Sequence, residues 1–415
     1  MIEIMNLRSL IRVFGAHLYL SNQLSDFIGL FIQSGKTMNM KIVAIAAVAV
    51  VVIAAAAGAI VLTNNDDDNE KGGLYSLDAT VLNVDMGGMS STPKMVETVK
   101  YMYSEVYGDL YDGANSLTIN DAKNDAEFWN KYCSYTPLVT VNGDGSMTYK
   151  TVTNSNTKIL HDLTIPNTAN KLIATGTAYP TNIYYALCEK YNEEPYSKEA
   201  LANSDLVSEF QSINYGGLVL NSIKNSSEEL AKYYGSDYVE SCSSLKSYDL
   251  ENVGNDVKNA VGTGNTVILM GSGTIAKDMN AEIYNKVTVN KGYMALNTAT
   301  SIPSTLAGIE LVCTLFGYGE EASKIIEKME IELYQIYWSI QHKSEDHKAY
   351  FEGSNGKASK SSGSGAELCE FLGFDISLFT GSEVDTETLL SEKPDVLIYY
   401  TNDDRSDDEK MRVSS

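Results

Sequence analysis

Histidine, the commonest catalytic base and metal ligand, is scarce in this chain. Beyond the first 63 residues only His161, His342 and His347 occur, and none lies in an HExxH or comparable metal-ligand spacing. No GxSxG elbow presents a serine nucleophile. His342 and His347 bracket Glu345 and Asp346, a set that reads as a solvated acidic turn, with metal contact as the alternative. Five cysteines (Cys133, Cys188, Cys242, Cys313, Cys369) form no CxxC pair, and their odd number leaves at least one thiol without an intramolecular partner. The loop GDLYDGANS, with Asp109, Asp112 and Asn115, misses the oxygen spacing of a calcium loop and reads as a capping turn. GSGT at Gly271 offers backbone N–H groups to an oxyanion but lacks the trailing G-K-[ST] of a phosphate loop. What remains abundant is tyrosine, at 27 residues. Among these, Tyr179, Tyr184, Tyr215 and Tyr293 carry aromatic faces suited to a planar or macrocyclic ligand. The chemistry indicated is non-covalent capture; no catalytic residue, metal ligand or cofactor is assigned.

Charge narrows the partners. With 54 acidic against 31 basic side chains, the net charge of -23 repels nucleic-acid phosphate, and no basic stripe offsets it. Arginine occurs four times, at Arg8, Arg12, Arg405 and Arg412. Over the long interval between Arg12 and Arg405, an anion site would therefore rely on Lys, hydroxyls or backbone N–H groups.

Position relative to a membrane follows from residues 42–62, IVAIAAVAVVVIAAAAGAIVL. These 21 uncharged residues are long enough, at about 1.5 Å per residue, to cross a hydrocarbon layer about 30 Å thick. Arg8, Arg12, Lys36 and Lys41 precede the run and Asp66, Asp67, Asp68 and Glu70 follow it, which places the N-terminus in the cytoplasm and the rest outside. We expect a single-pass anchor in the cell membrane at 42–63, with signal-peptidase cleavage near Ala57 as the alternative. Residues 1–41 are then a cytoplasmic tail or an over-extended start, and 64–73 a polar tether.

The elements that must position the binding residues come next. A helix is expected over Lys94 to Val106. A second starts near Asn120, with Asn120 as cap and Phe128, Trp129 and Tyr132 on its apolar face. A hairpin turns at Asn142 to Gly145, and residues 74–157 together form a small extra N-terminal unit. Strands and helices alternate from residue 158, with KLIATG, GGLVL and NTVILMGSG as strands. Glu320 to His342 is a long amphipathic helix with Ile325, Ile326, Met329, Leu333, Ile336 and Tyr337 on one side. A flexible-looking GSNGKASKSSGSG loop follows, then a helix at Ala366 to Leu372 and the strand PDVLIYY.

Four segments in this order carry a family likeness. TIPNTANKLIATGTAYPTNIYYALC (164–188), SYDLENVGNDVKNAVGTGNTVILM (247–270), SIPSTLAGIELVCTLFGYGEEASKIIEKM (301–329) and GSGAELCEFLGFDI with EKPDVLIYY (363–376 and 392–400) resemble the helical-backbone class of ABC-transporter substrate-binding proteins. That family includes cobalamin-, haem- and iron-siderophore-binding proteins. Departures from its pattern are Lys171 for Arg, Cys188 for Gly, and Gly264-Asn265 for Pro-Asp. The resemblance implies an α/β fold of two sheet-containing lobes joined by a long rigid helix. The lobes are expected at 158–303 and 343–415, with inter-lobe helices at 304–342. The family continues past its last strand with a further strand and helix, whereas this chain stops at Ser415 after a charged tail, so the second lobe is expected to be truncated or incomplete.

Ligand contacts are expected from loops at the C-terminal ends of strands, which nominates Thr177, Tyr179, Pro180, Gly271, Ser272, Thr300, Ser301 and Ser364. The resemblance further implies one exposed glutamate per lobe docking on an ABC permease, here Glu251 and Glu367, with the permease's ATPase as a further partner. The expected ligand is an iron complex, corrinoid or similar metal chelate. The lack of arginine between Arg12 and Arg405 favours a neutral or mildly charged one. A membrane-anchored surface sensor or adhesion protein is the alternative.

Overall fold

The computed structural model describes residues 74–84, 92–152, 160–174, 178–215, 227–239, 250–271, 291–296, 301–343, 346–352, 364–377, 386–400 and 406–414. The apolar run 42–62, the tether, GGLVL and most of the glycine-serine loop fall outside them. No helix among the described residues is long and apolar enough to cross a membrane. Gly72–Ser415 forms one compact unit, and it is described here by itself.

Two four-stranded parallel sheets organise that unit. In the first lobe, β6 (Lys171–Ala174), β7 (Asn214–Tyr215), β8 (Val267–Gly271) and β9 (Tyr293–Leu296) lie in the order β7-β6-β8-β9. These strands are short apolar runs buried on both faces, as parallel sheets covered by helices require: Leu172, Ile173, Ile268 and Leu269 are all inaccessible. Helix α3 (Ala178–Tyr191) and helix α5 (Ser204–Ile213) pack on this sheet.

The second lobe corrects the expected domain boundaries. Its sheet runs β11-β10-β12-β2, from β10 (His347–Phe351), β11 (Phe374–Asp375), β12 (Val396–Tyr400) and β2 (Thr80–Val84). Strand β2 pairs in parallel with β12 from Val396↔Thr80 to Tyr400↔Val84. Helix α1 (Lys94–Tyr107), at nearly the expected bounds, packs on β2. A further strand, β1 (Leu74–Ser76), pairs antiparallel with β13 (Arg412–Ser414). Residues 74–107 are therefore part of the second lobe and not a separate unit. They supply the fourth strand of that sheet, with Leu82 and Val84 buried under α1.

The boundary at 157/158 also dissolves. Strands β3 (Val139–Val141), β4 (Met147–Val152) and β5 (Leu160–Ile165) form one antiparallel sheet that crosses it. Its first turn is the expected hairpin, closed by Gly145 N–H to Asn142 O at 2.9 Å with Gly145 at φ 82°. Between α1 and this sheet the caps differ from expectation. Thr118, not Asn120, caps α2 (Ile119–Asn124) through a reciprocal box with Asp121, and Asp125 caps the turn Ala126–Phe128. That turn runs into a π-helical turn, Trp129–Cys133, with Phe128 and Tyr132 buried as expected.

Helix α8 (Ile302–Leu315) leads into the long helix α9, Gly319–His342, whose 24 residues span about 36 Å at about 1.5 Å each. Ala322, Ile325, Ile326, Met329, Leu333 and Ile336 recur at helical spacing on its buried face. Along its length it passes from one lobe to the other: Lys324 pairs with Glu189 of α3 at 3.7 Å, while Glu332 pairs with Lys100 of α1 at 3.3 Å. One continuous hydrophobic cluster includes Leu82 of β2, Met329 and Leu333 of α9, and Leu172 of β6. The lobes thus share a core around the helix. Cys133, Cys188, Cys313 and Cys369 are buried free thiols; Cys242 lies outside the described residues.

Candidate functional site

All strands within each lobe's four-stranded sheet run parallel, so each lobe presents one edge where its strands end and its connecting loops gather. In lobe 1 that edge is marked by Ala174, Gly271 and Leu296; in lobe 2 by Phe351, Tyr400 and Val84.

Helix α8 starts a few residues beyond the end of β9, and helix α10 (Ser364–Phe371) starts after the loop that leaves β10. At this junction the Ile302 N–H, in the first turn of α8, donates to Glu367 Oε2 of α10 at 2.8 Å. The carboxylate thereby satisfies one of the orphan N–H groups of the α8 N-terminus, where the helix dipole favours negative charge. Burial pushes the Glu367 carboxyl up to about 7, and the Ile302 N–H bond opposes that rise. Neighbouring Glu370 reaches Lys131 of the π-helical turn at 2.9 Å.

Serine supplies the rest of the α8 cap. Ser301 Oγ accepts from Ser304 N–H at 3.2 Å while Ser304 Oγ accepts from Ser301 N–H at 2.9 Å. Pro303 sits within the first turn, where its missing N–H is not needed.

Against this geometry the nominated residues separate into groups. Thr177, Ser272 and Thr300 lie outside the described residues. Gly271 is the last residue of β8, at the strand-end edge of lobe 1, and Ser364 the first of α10. Ser301 has its hydroxyl engaged in the α8 cap. Tyr179 and Pro180 require correction as cleft contacts. Helix α3 begins at Ala178 and turns its first residues into the lobe, leaving Tyr179 3% exposed and Pro180 buried. Tyr184 is likewise core, its ring against Phe210 and Tyr196. Glu367 is also corrected: half-buried and bonded to Ile302, it is not the exposed glutamate a docking role calls for. Glu251 falls in the first turn of α7 (Leu250–Gly262); its side chain is outside the described set.

His342 and His347 are aromatic packing groups, and His161 is exposed on β5. The His342 ring lies 3.9 Å from Trp338 and 4.9 Å from Tyr111, centroid to centroid, and its Nδ1 is 2.7 Å from Trp338 O. His347 meets Tyr107 edge-on at 5.0 Å. Sequence reasoning missed the junction itself. An Asp or Glu at a helix start signals a local cap, and no local pattern announces a carboxylate arriving from 65 positions away.

No protein-family model matches the sequence, and no curated protein matches it. Among solved structures, the chain is similar to the TroA-like periplasmic binding protein FepB from Veillonella parvula, at 12% identity over 60% of this chain and 69% of that one, with a TM-score of 0.39. It is also similar to the TroA-like periplasmic binding protein Peripla_BP_2 from Xylanimonas cellulosilytica, at 14% identity over 61% and 77%, with a TM-score of 0.36. The functional reading below rests on the arrangement of the lobes.

Proposed function

We propose that this protein is the extracytoplasmic solute-binding component of an ABC importer, capturing a metal chelate such as a corrinoid or iron complex between its two lobes. The observation that supports the reading is the Ile302–Glu367 hydrogen bond, which joins the first turns of α8 and α10, the helices that follow β9 and β10 in the two lobes. Loops from both lobes then surround one space, the usual place for a ligand in α/β sheets. In this reading Thr177, Gly271, Ser272, Thr300, Ser301 and Ser364 line the cleft, Glu251 faces the permease, and residues 42–63 hold the protein at the membrane.

Capture needs no covalent chemistry. The scarcity of arginine and the net charge of -23 favour a neutral or mildly charged chelate over a strongly anionic one. Titration of the full chain with cobalamin, haem and ferric siderophores, followed by tyrosine and tryptophan fluorescence, tests the proposal. One of them is expected to bind with Kd below about 10 μM, which is about -7 kcal/mol. Absence of any such binding overturns it.

A further inference from the structure

Between α8, α9 and the π-helical turn lies a pocket of 360 Å³, away from the strand-end loops and unused by the reading above. Glu310 of α8 and Glu327 and Glu330 of α9 line it, together with Lys123, Trp129 and Tyr135. Glu330 is 7% exposed, and what acts on its carboxylate is burial, the attraction of Lys123 and the repulsion of Glu327. Glu310 bonds the Tyr135 hydroxyl, while its Oε2 is buried without a hydrogen-bond partner. Buried carboxylates left in this state are costly, and each one asks for a donor. Lys123 does not supply it: its ammonium lies over the Trp129 ring, 5.5 Å from the centroid. Burial pushes Glu330 up to about 7, partly offset by attraction to Lys123 and reinforced by Glu327; burial raises Glu310 as well. The π-helical turn that forms one wall is a rare geometry, frequent at functional sites.

We infer that this pocket is a second binding site, for a small organic ammonium ion, with Glu330 and Glu310 accepting its N–H donors and Trp129 and Tyr135 flanking its carbon chain. An anion is excluded by the carboxylates, and a neutral apolar guest would leave Glu330 and the Glu310 Oε2 without a donor. A metal ion is disfavoured because no group of three or more His, Cys, Asp or Glu among the described residues is placed to hold one. An alkylammonium needs only two acceptors and an aromatic face, which is what the pocket offers.

Diaminobutane is the probe. The full chain is titrated by calorimetry and tryptophan fluorescence at about pH 8, with butanediol as the uncharged counterpart and Mg²⁺ as the metal counterpart. Saturable one-to-one binding of the diamine is expected, with at least about tenfold weakening in Glu330→Gln and in Glu310→Gln. Both variants are to be checked for wild-type circular dichroism. Five groups face Glu330 from the packed elements: Glu327 on its own helix, Lys123 on α2, Cys133 and Tyr135 at the π turn, and Glu310 on α8. Burial raises Glu330 to about 7, so its carboxylate gains a proton and diamine binding weakens as the pH falls from about 8 to about 6. No saturable binding up to about 10 mM, equal affinity in both glutamine variants, or equal binding of butanediol or Mg²⁺ overturns the assignment.

Discussion

The two lobes have the same sheet built from differently arranged sequence. Counted from its own first strand, each reads second-first-third-fourth: β7-β6-β8-β9 in lobe 1 and β11-β10-β12-β2 in lobe 2. Lobe 1 takes its strands from one continuous stretch. Lobe 2 takes three from the C-terminal part and its fourth from residues 80–84, more than three hundred positions earlier. The contrast teaches that a parallel sheet selects its edge strand by buried apolar faces and free ladder groups, not by order in the chain. Closing so long a connection costs only logarithmically more than closing a short one.

The comparison breaks most sharply at Leu82. Because this side chain is fully buried in β2, Leu82→Ala is expected to cost about 2–5 kcal/mol, similar to Leu172→Ala in β6 of lobe 1. Urea denaturation gives the magnitude, and amide exchange gives the location: protection of 349–351 and 396–398 should fall in Leu82→Ala. Unchanged protection there would return residues 74–107 to the status of an independent unit.

A smaller effect is expected where the lobes touch. Glu367→Ala removes the acceptor for Ile302 N–H and should cost about 1–2 kcal/mol, whereas Glu367→Gln keeps an acceptor oxygen. The glutamine variant also sharpens the pH behaviour. The folded-state value of about 7 exceeds the ordinary 4.5, so the folded protein binds more protons across that window and loses stability as pH rises through it. Denaturation midpoints measured across the same range should show a shallower decline in Glu367→Gln.

Ser301→Ala, which deletes the α8 cap at this junction, is expected to lower stability by about 1 kcal/mol by thermal melting. The smallest effect belongs to Lys131→Ala. Its pair with Glu370 is solvent-exposed on both sides, and its loss should change stability by less than about 1 kcal/mol, less again at high salt.

Several parts of this protein were legible in the residues alone. The helix Gly319–His342 is readable because its apolar side chains repeat at 3.6 positions, and the hairpin at Asn142–Gly145 because its turn chemistry is contained in a few neighbours. The helix from Lys94 and the buried strands KLIA and VLIYY belong to the same local class. Pairing was not legible. An apolar run states that it will be buried, yet any parallel neighbour of the right length satisfies it, so only the assembled sheet decided that β2 lies against β12. Side-chain direction was likewise left open: Tyr179 at a strand-end loop reads as a ligand contact until the first turn of α3 rotates it into the core. Glu367 and Glu330 follow the same rule. A glutamate on an amphipathic helix is solvated by default, and what it meets is set by elements arriving from elsewhere in the chain, whose approach no local spacing encodes.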